Sequence, residues 1–138
     1  MKPSRLFFAS VACAAIAVGT FVASAQSQPA TTGPVNVATN KFPITVTAGD
    51  YDLVNQVLDF PPGSSVPNHV HGGPVVLSVL SGELTVVDAT GDHLVKAGQS
   101  ATEKSGYVHA AYNRGTAPAR VSLSYLVPKG AALTTMSK

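Results

Sequence analysis

The sequence predicts an all-β barrel or sandwich, and three observations carry that prediction. From Lys41 to Pro128 the chain is a succession of short β-type runs separated by Gly, Pro and Asp turns, the pattern of packed or closed antiparallel sheets. No stretch of the chain beyond its first 25 residues has a convincing helical period. In Val121-Ser122-Leu123-Ser124-Tyr125-Leu126-Val127 the odd positions are large and mainly apolar and two of the even ones are serine. Val121, Leu123, Tyr125 and Val127 are therefore expected to face an interior.

The 138-residue chain starts with a segment that lies outside this fold. Lys2 and Arg5 precede an apolar run from Leu6 to Val22, and Ala23-Ser24-Ala25 follows. Charge, apolar run and small-residue motif in that order predict a secretory signal over residues 1–25, cleaved after Ala25. An uncleaved anchor is the competing reading, since the run is almost long enough to span a bilayer; Gly19, Thr20 and the cleavage motif argue against it. The expected location is periplasmic or secreted. Cys13, the only cysteine, lies within this signal, and the mature chain has no disulfide to staple it. Its stability then rests on a hydrophobic core, helped by a metal or a partner subunit.

Without Lys2 and Arg5 the mature chain carries seven basic side chains (9 − 2) against seven acidic ones. With no net charge and no Lys/Arg cluster, nucleic acid and anionic membrane are poor partners. A small-molecule site or a protein contact suits such a surface better.

Residues 26–40, rich in Ser, Thr, Pro, Gly and Asn, read as a flexible leader. The barrel is expected over residues 41–128, with runs at Ile44–Thr47, Leu53–Phe60, Val75–Leu80, Leu84–Val87, Val108–Asn113 and Val121–Val127. Residues 129–138 read as a C-terminal tail free to fray. Leu84 and Val86 should point inward opposite Glu83 and Thr85, which makes Glu83 a poor candidate ligand.

Three of the four histidines stand where a metal could use them. His69 and His71, one residue apart, project from the same face of a strand; they follow the Phe60-Pro61-Pro62-Gly63 turn and precede Gly72-Gly73. His109 enters another run, with the small residues Ala111 and Asn113 on its face. His93, in Gly91-Asp92-His93, reads as a solvated turn residue.

These residues resemble the two motifs of the cupin family. Gly63, five residues, His69-Val70-His71, three residues, Val75, six residues and Gly82 match the first motif, except that valine stands where the family has glutamate. Gly98, five residues, Lys104-Ser105-Gly106, two residues, His109, three residues and Asn113 match the second, with lysine in place of proline. Together the motifs span nearly half of the mature chain. The resemblance implies a double-stranded β-helix (the cupin, or jelly-roll, barrel) whose open end holds one divalent transition metal: Zn, Cu, Fe, Mn or Ni. His69, His71 and His109 carry over as its ligands. The glutamate does not, because valine has no donor atom, and Asn113 carries over as a conformational residue. Lys104 costs little, since Gly106 keeps the turn. Gln56, Val75, Asn113 and Tyr125 are expected around the pocket, with Tyr125 a core aromatic whose hydroxyl finds a partner, while Tyr107 and Tyr112 face outward or an interface. The resemblance also implies a homodimer, to which Lys41–Ala48 would supply an exchanged edge strand.

Three neutral imidazoles would leave a divalent ion its full charge, making it a strong Lewis acid for anionic or enolate donors. Three protein ligands with open positions are a catalytic arrangement, and some cupin dioxygenases use three histidines with iron. Export through the general secretory route, without a twin-arginine pair, favours zinc or copper as the ion acquired outside. The expected function is a metal-dependent enzyme, dioxygenase- or isomerase-like, on a small organic molecule. The alternative is a non-catalytic periplasmic protein that binds a metal or small ligand. On the sequence alone no second catalytic carboxylate or general base accompanies the histidines, so any catalysis would be centred on the metal.

Overall fold

A computed structural model describes residues 33, 34 and 36–137. The signal segment and cleavage site expected over residues 1–25 lie outside the described residues, as does most of the expected leader. Residues 36–40 are exposed and carry no regular element.

Nine strands follow, with no helix among the described residues: β1 (Tyr51–Phe60), β2 (Ser65–His71), β3 (Val75–Ser81), β4 (Glu83–Asp88), β5 (Gly91–Lys96), β6 (Ser100–Glu103), β7 (His109–Tyr112), β8 (Ala119–Pro128) and β9 (Thr134–Met136). Antiparallel pairing joins β1 to β8, β2 to β7, β3 to β6 and β4 to β5. This is one long hairpin, folded at the β4–β5 turn, whose two arms run side by side. Further pairs, β3 with β8 and β4 with β7, roll the hairpin into two sheets, ordered β1-β8-β3-β6 and β5-β4-β7-β2-β9. The double-stranded β-helix predicted from the sequence is the observed fold.

Alternation decides which side chains meet between the sheets. Val121, Leu123, Tyr125 and Val127 of β8 are all buried, as are Leu77 and Val79 of β3 and Leu84 and Val86 of β4. Phe60, Val75, Val95, Ala111 and Ala119 complete the same cluster. Burying a side chain of this size contributes roughly 1.5–3 kcal/mol, which lets a chain without disulfides hold two sheets together.

The turn entering β2 is built by its sequence. Ser64 N donates to Pro61 O at 3.0 Å, and Gly63 takes φ of 77°. Proline then glycine at the two central positions is the type II turn pattern, which needs a positive φ at the second. Asn113 locks this turn to the end of β7. Its Nδ2 donates to Phe60 O at 2.8 Å and to Ala117 O at 2.9 Å, and its Oδ1 accepts from Gly115 N at 3.0 Å. Asn113 is thus a conformational residue, as expected.

Two parts of the chain depart from the sequence-based reading. Ile44–Thr47 forms no strand; the barrel begins at Tyr51, and Ile44 and Val46 are exposed. The chain beyond Pro128, expected to fray, returns instead as β9. It pairs with β2 through His69↔Met136, Val70↔Thr135 and His71↔Thr134, and Ser137 N donates to Asn68 O at 2.8 Å. Backbone groups of β2 left open at the sheet edge recruit the C-terminal segment, which satisfies them.

Candidate metal centre

A bulge in β2 brings the histidines together. Val66 pairs with Ala111 and lines the interior, so plain alternation would turn residues 68 and 70 inward. Between Val66 and His69 the register slips, and His69 comes to lie opposite His109. The extra residue changes the parity of the strand, and Pro67, which has no N–H for the ladder, sits within the slip. His69 and His71 therefore point inward, while Val70 between them is only partly buried.

The three imidazoles are buried, with relative exposures of 5%, 4% and 4% for His69, His71 and His109. Ring centroids lie 4.9 Å apart for His69–His71, 4.2 Å for His69–His109 and 4.9 Å for His71–His109. One nitrogen from each ring falls within 4.8 Å of the other two.

The backbone fixes which nitrogen that is. His69 Nδ1 lies 2.8 Å from Pro67 O, His71 Nδ1 2.9 Å from Leu133 O, and His109 Nδ1 3.0 Å from Tyr107 O. A carbonyl only accepts, so each Nδ1 carries the proton and donates it. Each neutral ring then presents its Nε2 lone pair to the common centre. This is the support that orients metal-bound imidazoles, and it is complete for all three rings. His109 Nε2 is moreover buried without a hydrogen-bond partner, a cost that a bound cation would remove. These residues fit a divalent transition metal.

Leu133, beside the second histidine, belongs to the chain beyond Pro128, which makes that segment part of the centre. Truncation after Ala132 removes the Leu133 carbonyl and β9, and is expected to weaken metal affinity by roughly 10–100-fold. Competition against a chromogenic chelator measures it; affinity within twofold of the full chain would exclude a supporting role for the segment.

A carboxylate that the sequence reading missed also reaches the centre. Glu103, the last residue of β6, is only 8% exposed. Its Oε2 lies 3.0 Å from His71 Nε2 and its Oε1 3.4 Å from His109 Nε2. The absence of a carboxylate or general base beside the histidines, expected from the sequence, is corrected by this residue.

In the metal-free site the charges of these groups are coupled. Burial opposes ionisation of Glu103, but the His109 and His71 imidazoles outweigh it and hold the carboxyl at about 2, against an ordinary 4.5. Burial likewise opposes protonation of His109, and the Glu103 carboxylate outweighs it, so the His109 pKa is raised above 6.5. His69 is lowered below 6.5, chiefly by burial. The raised His109 stabilises the fold below pH 6.5 and loses that contribution as pH climbs through its folded pKa. The lowered His69 costs stability as pH falls below 6.5. Glu103 stabilises above pH 4.5 and fades only toward 2. The metal-free protein should therefore be most stable near pH 6.5. Urea midpoints from pH 4 to 9 in chelator test this, and a midpoint rising steadily through pH 8 would contradict it.

Two cavities meet at the centre. One, about 390 Å³ with its mouth included, is the barrel interior, walled by Leu58, Phe60, Leu77 and Leu123 and closed by His69, His71, Glu103 and Tyr125. The other, about 670 Å³ with its mouth, has Glu103 and His109 in its wall with Asp88, His93, Lys104 and Tyr107. Glu103 is the residue common to both. Tyr125, 2% exposed, stands edge-on to His71 with centroids 5.3 Å apart. Its hydroxyl interacts with Thr134, while burial raises its pKa.

The remaining expected pocket residues are placed elsewhere. Val75 is 1% exposed and belongs to the core cluster. Asn113 serves the turn described above, and Gln56 is exposed and lines neither cavity. β1 is the edge of its sheet, so a long polar side chain there reaches water. His93 lies on β5 rather than in a turn; its Nε2 is 3.1 Å from Asp88 Oδ1 and 2.9 Å from Thr90 Oγ1.

Comparison with known proteins gives this geometry a setting. The family model described as Cupin domain matches residues 56–127. A conserved protein with a double-stranded β-helix domain from Klebsiella pneumoniae is 31% identical, at a TM-score of 0.54 over 63% of this chain and 76% of that one. A conserved protein of unknown function from Streptococcus pyogenes is 23% identical, at a TM-score of 0.52 over 57% and 68% of the two chains. An oxalate oxidase in complex with the substrate analogue glycolate is 22% identical, at a TM-score of 0.53 over 61% of this chain but only 45% of its own. At that identity the last two likenesses are ones of fold. No curated protein matches the chain.

Proposed function

The chain belongs to the cupin family, its matched region being just over half of its length, and from that premise we propose that it is an exported metal-dependent enzyme acting on a small organic molecule. The observation that carries the reading is the convergence of three buried Nε2 lone pairs, each aimed by an Nδ1–H donated to a backbone carbonyl. Such a site is preorganised for one divalent ion, which when bound would supply Lewis acidity to an oxygen donor of the substrate.

The rest is the work of the chain's own groups. The aliphatic and aromatic wall of the inner cavity would exclude water and take an apolar portion of the substrate. Tyr125 stands within the same wall as a hydroxyl donor. Glu103, ionised and next to two imidazoles, is an acidic group that reaches this centre and offsets part of the charge of a bound ion.

The test is turnover by the zinc-, copper- or iron-loaded mature chain of small hydroxy acids, keto acids and enolisable carbonyl compounds, followed by mass spectrometry and oxygen consumption. Metal-dependent turnover of one class supports the enzyme. Saturable binding of these compounds to the loaded protein, with none converted, would sink it in favour of a binding protein.

Zinc or copper is the ion we place in the site as isolated. Predominant iron or manganese in protein from its native compartment would refute that. We place the mature N-terminus at Gln26, which mass spectrometry of the exported protein checks directly; retention of residues 1–25 would make the segment an anchor. Pairing into a dimer through Lys41–Ala48 is supported by the exposure of Ile44 and Val46 in a strand-free segment, and a monomeric mass at micromolar concentration would overturn it.

A further inference from the structure

Val75 occupies the position where the cupin motif has a ligand glutamate, and it lies buried in the core. In the β3–β6 ladder its direct partner is Glu103. Directly opposed residues of an antiparallel pair project from the same face of the sheet, with Cβ atoms about 4.5–5.5 Å apart. A glutamate at either position can thus deliver its carboxylate to the same region between the sheets. Here the strand next door delivers it.

The surroundings of that carboxylate call for a cation. Glu103 is buried, and its carboxylate contacts are the Nε2 atoms of His71 and His109. Neighbouring Lys104 lines the outer cavity beside it, with its Nζ over the Tyr107 ring at 5.4 Å from the centre. Because both Nδ1 atoms already donate to backbone carbonyls, neutral imidazoles would face the carboxylate with lone pairs. Lone pair against lone pair in a buried place is repulsive unless a proton or a metal ion lies between. One divalent ion would satisfy the orphaned His109 Nε2 and the carboxylate together.

We propose that Glu103 is a fourth metal ligand, which restores from β6 the carboxylate that β3 has lost at Val75. The inference rests on the metal-site reading above and deepens it. The bound ion would carry one net positive charge with its ligands instead of two, a weaker Lewis acid than three histidines alone would leave. A site so neutralised favours substrates that bring a single negative charge, such as a monocarboxylate or an enolate, over dianions.

The test uses Co²⁺ as the probe, titrated into the mature wild type and into Glu103→Gln, a variant of equal shape. Affinity comes from chelator competition, and the visible ligand-field spectrum reports the donor set. The expected result is an affinity at least about tenfold weaker in Glu103→Gln, together with a changed spectrum. An unchanged affinity and spectrum would overturn the assignment. So would a weaker affinity with an unchanged spectrum, because a carboxylate outside the coordination sphere acts through charge alone. The exchange Val75→Glu/Glu103→Val is expected to bring affinity back to within about threefold of wild type, which follows from the shared register. Wild type that takes up no Co²⁺, Zn²⁺ or Cu²⁺ would instead sink the metal-site reading itself, so the two failures are distinct.

Discussion

The double variant His69→Ala/His109→Ala is expected to contain no metal where the wild type holds close to one equivalent. His69 and His109 face each other across the β2–β7 ladder. Removing both leaves His71 with Glu103, a pair too sparse to hold a divalent ion in competition with water. The same experiment has a thermodynamic reading that separates ligand loss from packing damage. An ion that binds only the folded state stabilises it by about 2.7 kcal/mol when its free concentration is 100 times its Kd. For a domain of this size that is a rise in Tm on the order of 10–20 °C. The variant loses two buried rings and will melt lower in chelator, but the rise produced by metal should vanish in it entirely. An equal rise in both proteins would mean that metal binds elsewhere, and the centre would lose its assignment.

The sequence carried the parts of this site that depend on distance along the chain. His-x-His places two imidazoles on one face once both lie in a strand, and the spacing of Gly98, Gly106, His109 and Asn113 set the second half of the motif. What depends on pairing between strands was not legible. The bulge at Pro67 decides whether 69 and 71 or 68 and 70 turn inward, and it is a property of the β2–β7 register. Glu103 was missed for the same reason. Read along the chain it lies 28 positions from Val75; across the ladder it is the neighbour. One signal was available. Ser100-Ala101-Thr102-Glu103 ends in a charge on the face of the strand that also carries Ala101, and an acidic side chain on a core-facing position asks for a partner. β9 was hidden because Thr134–Met136 has little apolar pattern of its own; its place is set by the unsatisfied backbone of β2.

Gly73→Ala is expected to be among the most damaging single substitutions in the barrel, at a cost of at least about 3 kcal/mol. Gly72-Gly73-Pro74 carries the chain from β2 in one sheet to β3 in the other, and it passes directly against the backbone of β8. A Cβ on Gly73 would overlap Leu126 O and stand 2.9 Å from Val127 Cα. Neither atom belongs to a side chain that could swing aside. Leu126 N meanwhile donates to Pro74 O at 3.0 Å, so separating the segments also breaks the hydrogen bond that closes the crossing. The damage should reach the metal centre, since His71 is two residues upstream and its ring is held by Leu133 O on the far side. The measurement is thermal unfolding by circular dichroism in chelator, joined to a metal titration. A Tm lower by roughly 12 °C or more and a weakened metal affinity are expected together. A Tm within a few degrees of wild type would mean that the crossing can open at little cost. The two sheets would then not be locked at this point, and the positions of β2 and its histidines would have to be set from the β7 and β9 sides alone.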